Sequence, residues 1–513
     1  MRARSLLGAE KMWPNNGGKL VTGSRPPQLP ESDRADTLHG GPSRVQHRGS
    51  SKIGPRSESK ASGAIVLGAG MTGLAAGWAS GLPVYEAEKA PGGICSSYYV
   101  RPGSHERLQQ PPNDGEAYRF EIGGGHWIFG GDPAVLRFIR RIAPVKSYER
   151  RSSVYFPDQN LYVPYPLQNN LRCLPEAARL KALTEMLTAP PGRPQTTADW
   201  LTQNFGPTLT EMFFGPFHDL YTAGMWKQIA PQDGYKSPVD RALVIRGALE
   251  APDPVGYNTT YIYPRLGLNT LAAQIAAQCD IQYGKRVVRI DLERKQVSFD
   301  DGSTAPYGQL ISTLPLNKML EMTGVRIHEE SDPYTSVLVL NIGATRGPRC
   351  PEDHWIYVPR STAGFHRVGL YSNVDSSFLP KSSQAARDRV SIYVEKAYPG
   401  GKRPSTEAAA ECSEATVKEL RQWGFIGSAE VVDPTWIDVA YTWSLPGSKW
   451  RAAALKALDE CDVIMVGRYA RWIFQGIADS IRDGFYVGAS TRPEKAGIGR
   501  MAAASNQKTE SPA

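Results

Sequence analysis

The sequence predicts an α/β fold in which a Rossmann-type dinucleotide-binding domain carries an inserted mixed α+β domain and a helical region. Three observations predict it: an apolar run ending in G-x-G-x-x-G at Gly68, a second short apolar run ending on an acid at Glu86, and two later apolar runs, Gln309–Pro315 and Val463–Arg468, that read as return strands of the same sheet.

From Ala64 the chain reads AIVLGAGMTGLAAGWASGLPVYEAEKAPGG. The run Ala64–Leu67 reads as a buried parallel strand, and a tight turn has to follow it. Gly68 permits that turn, Gly70 lets backbone approach a pyrophosphate, and Gly73 lets the next helix pack close to the strand. The helix is predicted over Met71–Ser80. Its first N–H groups, those of Met71 and Thr72 among them, and its positive dipole end offer anion binding without a basic side chain. The second strand, Pro83–Tyr85, ends at Glu86, where a carboxylate suits both hydroxyls of an unphosphorylated ribose, with Glu88 as the nearby alternative. An ordinary turn in an α/β core is the competing account of the glycines.

Gly92 and Gly93, six and seven residues after Glu86, sit at a spacing that resembles the flavoprotein extension of the motif and so point to FAD rather than NAD. Two further segments resemble pieces of an FAD domain. Lys285–Ile290 reads as a short strand presenting backbone, at Val288, to adenine. Val463–Arg468 closes on Gly467 and Arg468 just before a predicted helix, Trp472–Phe485, whose N-terminus would face the flavin.

With 513 residues, 41% hydrophobic and 21% charged, the chain has the composition of a globular protein of two or three domains. The net charge of +8 suggests nucleic acid at first sight, yet residues 1–60 hold eleven Lys/Arg against five Asp/Glu and account for most of it. That segment has no helical or strand periodicity and reads as a disordered basic extension. A transit peptide and a translation start placed too far upstream both remain open for it, although Glu10, Glu31, Asp33 and Asp36 speak against the former. No nucleic-acid partner is expected. The six cysteines lie far apart without a C-x-x-C pair, which fits reduced thiols, a cytoplasmic location and no metal site. The uncharged stretch Ala61–Tyr85 has the length of a membrane span, but the fingerprint accounts for its glycines, so no span is expected.

The expected order is the extension, then a first FAD-binding segment at 61–132, a helical and substrate region at 133–250, and a second FAD-binding segment at 251–320. A substrate domain at 321–455, a third FAD-binding segment at 456–492 and a disordered tail at 493–513 complete it. Within the inserted regions Val337–Ile342 and Arg367–Tyr371 read as strands. Pro133–Leu249 reads as mainly helical, and Ser382–Tyr398 and Thr406–Trp423 read as helices.

Several segments resemble UDP-galactopyranose mutases, more closely the eukaryotic type, within the wider amine-oxidase and protoporphyrinogen-oxidase-like flavoproteins. They are Ile122–His126 (IGGGH) with Ile128-Phe129, VPYPLQNN at Val163–Asn170, HWIYVP at His354–Pro359 running on through Phe365-His366-Arg367 to Tyr371–Asn373, and GRYARW at Gly467–Trp472. FGPTLTEMFFGPF, Phe205–Phe217, is shared with the wider group. In the mutases reduced flavin N5 attacks the anomeric carbon of a nucleotide sugar and the ring re-forms through another oxygen, with no net oxidation. The resemblance implies that His126 lies over the isoalloxazine, that Arg367 binds a diphosphate, that Arg468 faces the flavin, and that Trp355, Tyr357 and Asn169 line the substrate pocket. Simpler roles stay open beside these: a loop histidine bonded to backbone, structural ion pairs for the arginines, core packing for the aromatic pair.

The chain also departs from the mutases. Phe474 stands where they carry a phosphate-contacting Tyr, their following Asn has no counterpart in Gln475–Ala478, and Pro216-Phe217-His218 replaces a Pro-Tyr-Asn segment. Three functions therefore stand: a mutase-like or redox flavoenzyme acting on a nucleotide-linked or secondary-metabolite sugar, an amine-oxidase-like or protoporphyrinogen-oxidase-like enzyme moving hydride from substrate to flavin, and a flavin-binding partner protein without catalysis. Oligomeric state is left open.

Overall fold

The computed structural model describes residues 63–190, 192–232, 239–252, 256 and 258–491; the basic extension and the tail inferred from sequence lie outside them. The strand Ile65–Leu67 is wholly buried, as its unbroken apolar run requires, and pairs in parallel with Val84–Tyr85 on one side and Leu310–Ser312 on the other. Ile281–Gln282 and Val463–Met465 extend the sheet at its two edges. Numbered along the chain, the five strands lie in the order 3-2-1-4-5. This is the doubly wound order, with its switch point between Ile65–Leu67 and Leu310–Ser312, and such sheets bind ligands beyond the carboxyl ends of their strands.

The helix after the first strand spans Met71–Ser80, as its sequence predicts, and packs along the last described helix, Ile477–Ser490. The two approach to backbone contact. A Cβ added at Gly484 would strike the carbonyl of Thr72, and one at Gly488 the carbonyl of Ala76. Gly73 has the role its spacing suggests, because a Cβ there would run into the Gly68 carbonyl.

A seven-stranded sheet forms the second layer, in the order Ile426–Thr442, Tyr334–Arg346, Arg389–Pro399, Arg367–Leu370, Trp355–Tyr357, Ser152–Phe156, Leu161–Pro164. Two expectations of helix fail. The helix expected over Ser382–Tyr398 is one short turn, Ser383–Ala386, stopped by Arg387 at φ 53°, followed by the strand Arg389–Pro399. That strand is buried on both faces from Val390 to Glu395, so it lacks the polar alternation that marks a half-buried strand. The region Pro133–Leu249 is mainly helical, as expected, although 145–164 contains three strands. The final helix starts at Ile477 rather than Trp472. Trp472 sits at φ 55°, and the chain from Gly467 to Gly476 forms a loop instead.

None of the six cysteines pairs with another. No described helix is long and apolar enough to cross a membrane.

Candidate functional site

A single cavity of about 460 Å³ runs from the carboxyl ends of the parallel strands to the face of the seven-stranded sheet. Its volume lies within the range of pockets that hold cofactors and small substrates. One end is built by the fingerprint. Gly68, Gly70, Met71 and Thr72 line it from the first turn, Gly92 and Gly93 from the loop opposite, and Gly467 from the last strand. Gly92 donates to the Ala69 carbonyl at 2.8 Å, which holds the two glycine loops against each other.

Glu86 is 7% exposed, and its carboxylate accepts the N–H of Ala69 at 2.6 Å and that of Glu88 at 2.8 Å. Burial raises its pKa, and the two backbone bonds oppose that rise. Glu88, the alternative, is off the cavity lining and pairs with the exposed Arg286 at 2.6 Å, so of the two acids only Glu86 lines the cavity. Replacing Glu86 by Gln leaves one of these N–H groups without an acceptor and removes a charge-assisted acceptor. FAD affinity of the apoprotein is expected to fall about ten- to a hundredfold, read from quenching of flavin fluorescence on titration.

At the middle of the cavity stand His126 and Arg468. His126 follows Gly123, Gly124 and Gly125, and its Nδ1 is buried with no hydrogen-bond partner in the protein. Burial, then the neighbouring Arg468, pushes its pKa down to about 4, so the ring is neutral at physiological pH. Arg468 donates only to backbone, to the carbonyls of Gln475 at 3.3 Å and Ala440 at 3.2 Å, and lies 4.6 Å from the centre of the Phe474 ring. No carboxylate among the described residues pairs with it. A guanidinium lining a cavity without a counter-charge marks a place for an anionic or electron-rich group. Gly476, Ile477 and Ser480, the N-terminal turn of the last helix, line the same stretch, as the shifted helix still allows.

The far end is walled mainly by rings. A π-helical turn, Thr210–Phe214, leads into the helix Gly215–Tyr221 and delivers Phe213, Phe214, Phe217, His218 and Tyr221 to the cavity. Such turns recur at functional sites. Phe217 meets Tyr357 edge-on at 5.5 Å, and Tyr221 meets Tyr441 at 4.8 Å. Arg150 anchors this wall by donating to the Asn258 side chain and, at 2.9 Å, to the Tyr165 carbonyl.

Arg367 also reaches the cavity, but its guanidinium is paired with Glu395, a carboxylate only 2% exposed that lies 3.5 Å from His366 as well. Burial alone would raise the Glu395 carboxyl. Arg367 first, and His366 with it, outweigh burial and hold the pKa down at about 2. The ion-pair role therefore belongs to Arg367 in this structure.

Four residues expected at the site lie off the cavity lining: Gly73, which instead sets the close packing of the helix on the Gly68 carbonyl, and Trp355, Asn169 and Val288. Trp355 shares a strand face with Tyr357 but stands two residues, about 7 Å, further along. It is buried against Phe129 and Tyr261, which makes it a core residue. Asn169 is buried beneath the helix Arg241–Leu249, its backbone pressed against Gly247. Val288 sits where the ladder slips between Val287 and Arg289, with its side chain half exposed, although the segment starts beside the cradle because Lys285 donates to the Glu86 carbonyl at 2.7 Å. Sequence reasoning does not reach Tyr221, Tyr441, His366, Glu395 or Asn258 as site residues. They come from segments far apart in sequence, and of the five only His366 lies in a segment with a sequence signal, Phe365-His366-Arg367.

A sequence model of flavin containing amine oxidoreductases matches residues 82–458. The chain belongs to that family. Its cofactor is FAD. The fold is similar to that of a reduced UDP-galactopyranose mutase, with a TM-score of 0.69 at 21% identity over 83% of this chain and 94% of the mutase. It is also similar to a protein of Exiguobacterium sp. 255-15 provisionally designated a protoporphyrinogen oxidase, with a TM-score of 0.61 at 13% identity over 85% of this chain and 99% of the other. A putrescine oxidase variant gives a TM-score of 0.50 at 14% identity over 84% and 98%. At these identities the likeness is one of fold. The cavity fits the family's cofactor on its own chemistry: a glycine cradle with open space above Gly70, a buried acid for the ribose, and an unpaired buried Nδ1 and an uncompensated guanidinium at its middle.

Proposed function

We propose that this flavoenzyme acts at flavin N5 on a neutral or anionic ring substrate of the nucleotide-linked sugar class, rather than on a protonated amine. The charge balance of the cavity carries the reading. Among the described residues lining it there are two guanidinium groups, Arg367 and Arg468, and one carboxylate, Glu86, at the adenosine end. Glu395, just behind the wall, is already spent on Arg367 and His366. A substrate ammonium would find no free counter-charge and would face burial and the Arg468 charge, the two causes that depress His126. A sugar finds faces of Phe217, Tyr221 and Tyr441 to pack against, and polar atoms of Asn258, Tyr357 and His218 at their edges.

Bound FAD supplies N5, which accepts hydride when oxidised and is a nucleophile once reduced. Arg468, held by two backbone carbonyls and backed by the Phe474 ring, would offset the negative charge of the reduced state. His126, kept neutral, would line the flavin site without adding charge.

Consumption of reductant tests this. Holoprotein reduced once with dithionite under argon is incubated with UDP-galactose and UDP-glucose, and separately the oxidised form is mixed with putrescine, benzylamine and a porphyrinogen. Interconversion of sugar isomers over many turnovers per reducing equivalent is the expected result. Bleaching of the oxidised flavin by an amine or the porphyrinogen, with one acceptor consumed per product, would sink the proposal. Silence with every probe would leave a binding protein as the better account.

A further inference from the structure

Glu395 reaches more of the site than its ion pair shows. Its strand, Arg389–Pro399, runs antiparallel to Arg367–Leu370 with Glu395 and Arg367 in register, so the two side chains face each other across the ladder. Arg367 Nη2 donates to both carboxylate oxygens, and the Tyr441 hydroxyl lies 3.5 Å from Oε2. Tyr393 stands on the same face two residues earlier. A Cβ at Gly125 would strike the Tyr393 hydroxyl, and one at Gly124 would stand 3.0 Å from Glu395 Oε1. The strand is therefore pressed against the glycine loop that carries His126, and side chains on that loop would hold the carboxylate off.

A small chamber of about 30 Å³ joins these groups. Glu395, His126, Arg468 and Tyr441 line it, and the last three also line the main cavity. The carboxylate is ionised at neutral pH, because Arg367 first, and His366 with it, outweigh its burial. Its charge is felt at His126: burial, then Arg468, lower the pKa of that ring, Glu395 raises it, and Arg367 lowers it further. Of the two guanidinium groups on the cavity wall, Arg367 thus has a counter-charge and Arg468 has none among the described residues. Reducing a flavin adds negative charge to its ring, which a nearby cation favours and a nearby anion opposes.

We propose that Glu395 sets the reduction potential of the bound flavin, its carboxylate cancelling the charge of Arg367 at the flavin site so that Arg468 is the cation left to favour the reduced state. The proposal concerns the cofactor and goes beyond the choice of substrate: it holds whether N5 accepts hydride or attacks carbon. It requires the flavin ring to lie at the middle of the cavity, beside His126 and Arg468. Glu395 acts there through space from behind the wall, and Arg367 is the group whose charge it masks.

The midpoint potential of the FAD-loaded full chain, measured near pH 7 by equilibration with a reference dye, tests it. In Glu395→Gln the negative charge is gone and the charge of Arg367 is uncovered. The equilibrium constant for two-electron reduction is expected to rise about tenfold, which is about 30 mV, the size of a unit charge acting across a buried site. Glu395→Met, neutral and of similar volume, should shift the potential the same way, whereas Glu395→Asp should stay near wild type even if it unfolds at a lower temperature. Arg367→Gln combined with Glu395→Gln removes both charges and should return the potential toward that of wild type. A potential unmoved or lowered in the neutral single variants overturns the proposal, as does a double variant that stays as high as Glu395→Gln. Loss of flavin from both neutral single variants would make the carboxylate a structural requirement and would also refute a tuning role.

Discussion

Protein carrying Gly70→Val is expected to purify without flavin colour and yet to fold. A Cβ built at Gly70 meets no atom within 4 Å, and the residue sits at φ −67°, where any L residue is unstrained. The side chain would therefore cost the apoprotein little. It would project into the cavity directly ahead of the helix Met71–Ser80, where a pyrophosphate has to reach the first N–H groups. Two or three charge-assisted hydrogen bonds at about 1.5–3 kcal/mol each are lost with that approach, so affinity should fall on the order of a thousandfold or more. The control is Gly73→Val. Gly73 lies three residues on and does not line the cavity, but its Cβ would strike the Gly68 carbonyl, so this variant is expected to lose the fold rather than only the ligand. Flavin absorbance relative to protein absorbance separates loss of ligand from its retention. Thermal unfolding, compared with wild-type apoprotein because bound FAD itself stabilises, separates loss of ligand from loss of fold. Full occupancy of Gly70→Val would mean that the pyrophosphate does not lie where the fingerprint places it.

The two glycines show why the cofactor half is legible in the sequence and the substrate half is not. Around Gly68 the determinants are local: a strand, a turn, a helix start and an acid within about twenty residues, each with its own sequence signature. The Met71–Ser80 helix and the position of Glu86 follow from them. The chamber at the other end is made by tertiary assembly. Tyr165, Phe217, Tyr357 and Tyr441 meet only because strands of one large sheet and a kinked helical segment converge, and nothing in the residues near Tyr441 announces a site. Trp355 and Tyr357 illustrate the limit. Both are aromatic, both lie on one face of one strand, and only the depth of the cavity decides that Tyr357 lines it and Trp355 packs the core. The strand Arg389–Pro399 escapes sequence reading for a related reason, since burial on both faces removes the pattern that periodicity detects, and with it the means to foresee Glu395 beside Arg367.

That pair has the second large expected effect. Arg367→Ala is expected to destabilise the fold by about 3–5 kcal/mol at neutral pH, the cost of leaving a buried carboxylate without its cation. Glu395 is 2% exposed, and after the change it would keep only the neutral Tyr441 hydroxyl, at 3.5 Å, and His366, a ring that burial already holds neutral. The pH dependence follows from the sign of the shift. In wild type the Glu395 pKa lies at about 2, below its ordinary 4.5, so its contribution is fully present above about 4.5 and is lost as pH falls toward 2. Without Arg367, burial dominates and raises the carboxyl above its ordinary value, so the variant suffers most where the group is forced to ionise. The stability gap measured by urea unfolding should therefore be widest near pH 7 and narrow as the solution is acidified below about pH 5. Arg367→Ala combined with Glu395→Gln should recover much of the loss, because the unpaired charge is gone, whereas Arg367→Lys should recover less for want of the planar fork. A variant that unfolds like wild type at every pH, but binds UDP-galactose ten- to a hundredfold more weakly, would return Arg367 to the diphosphate role that its sequence context suggests.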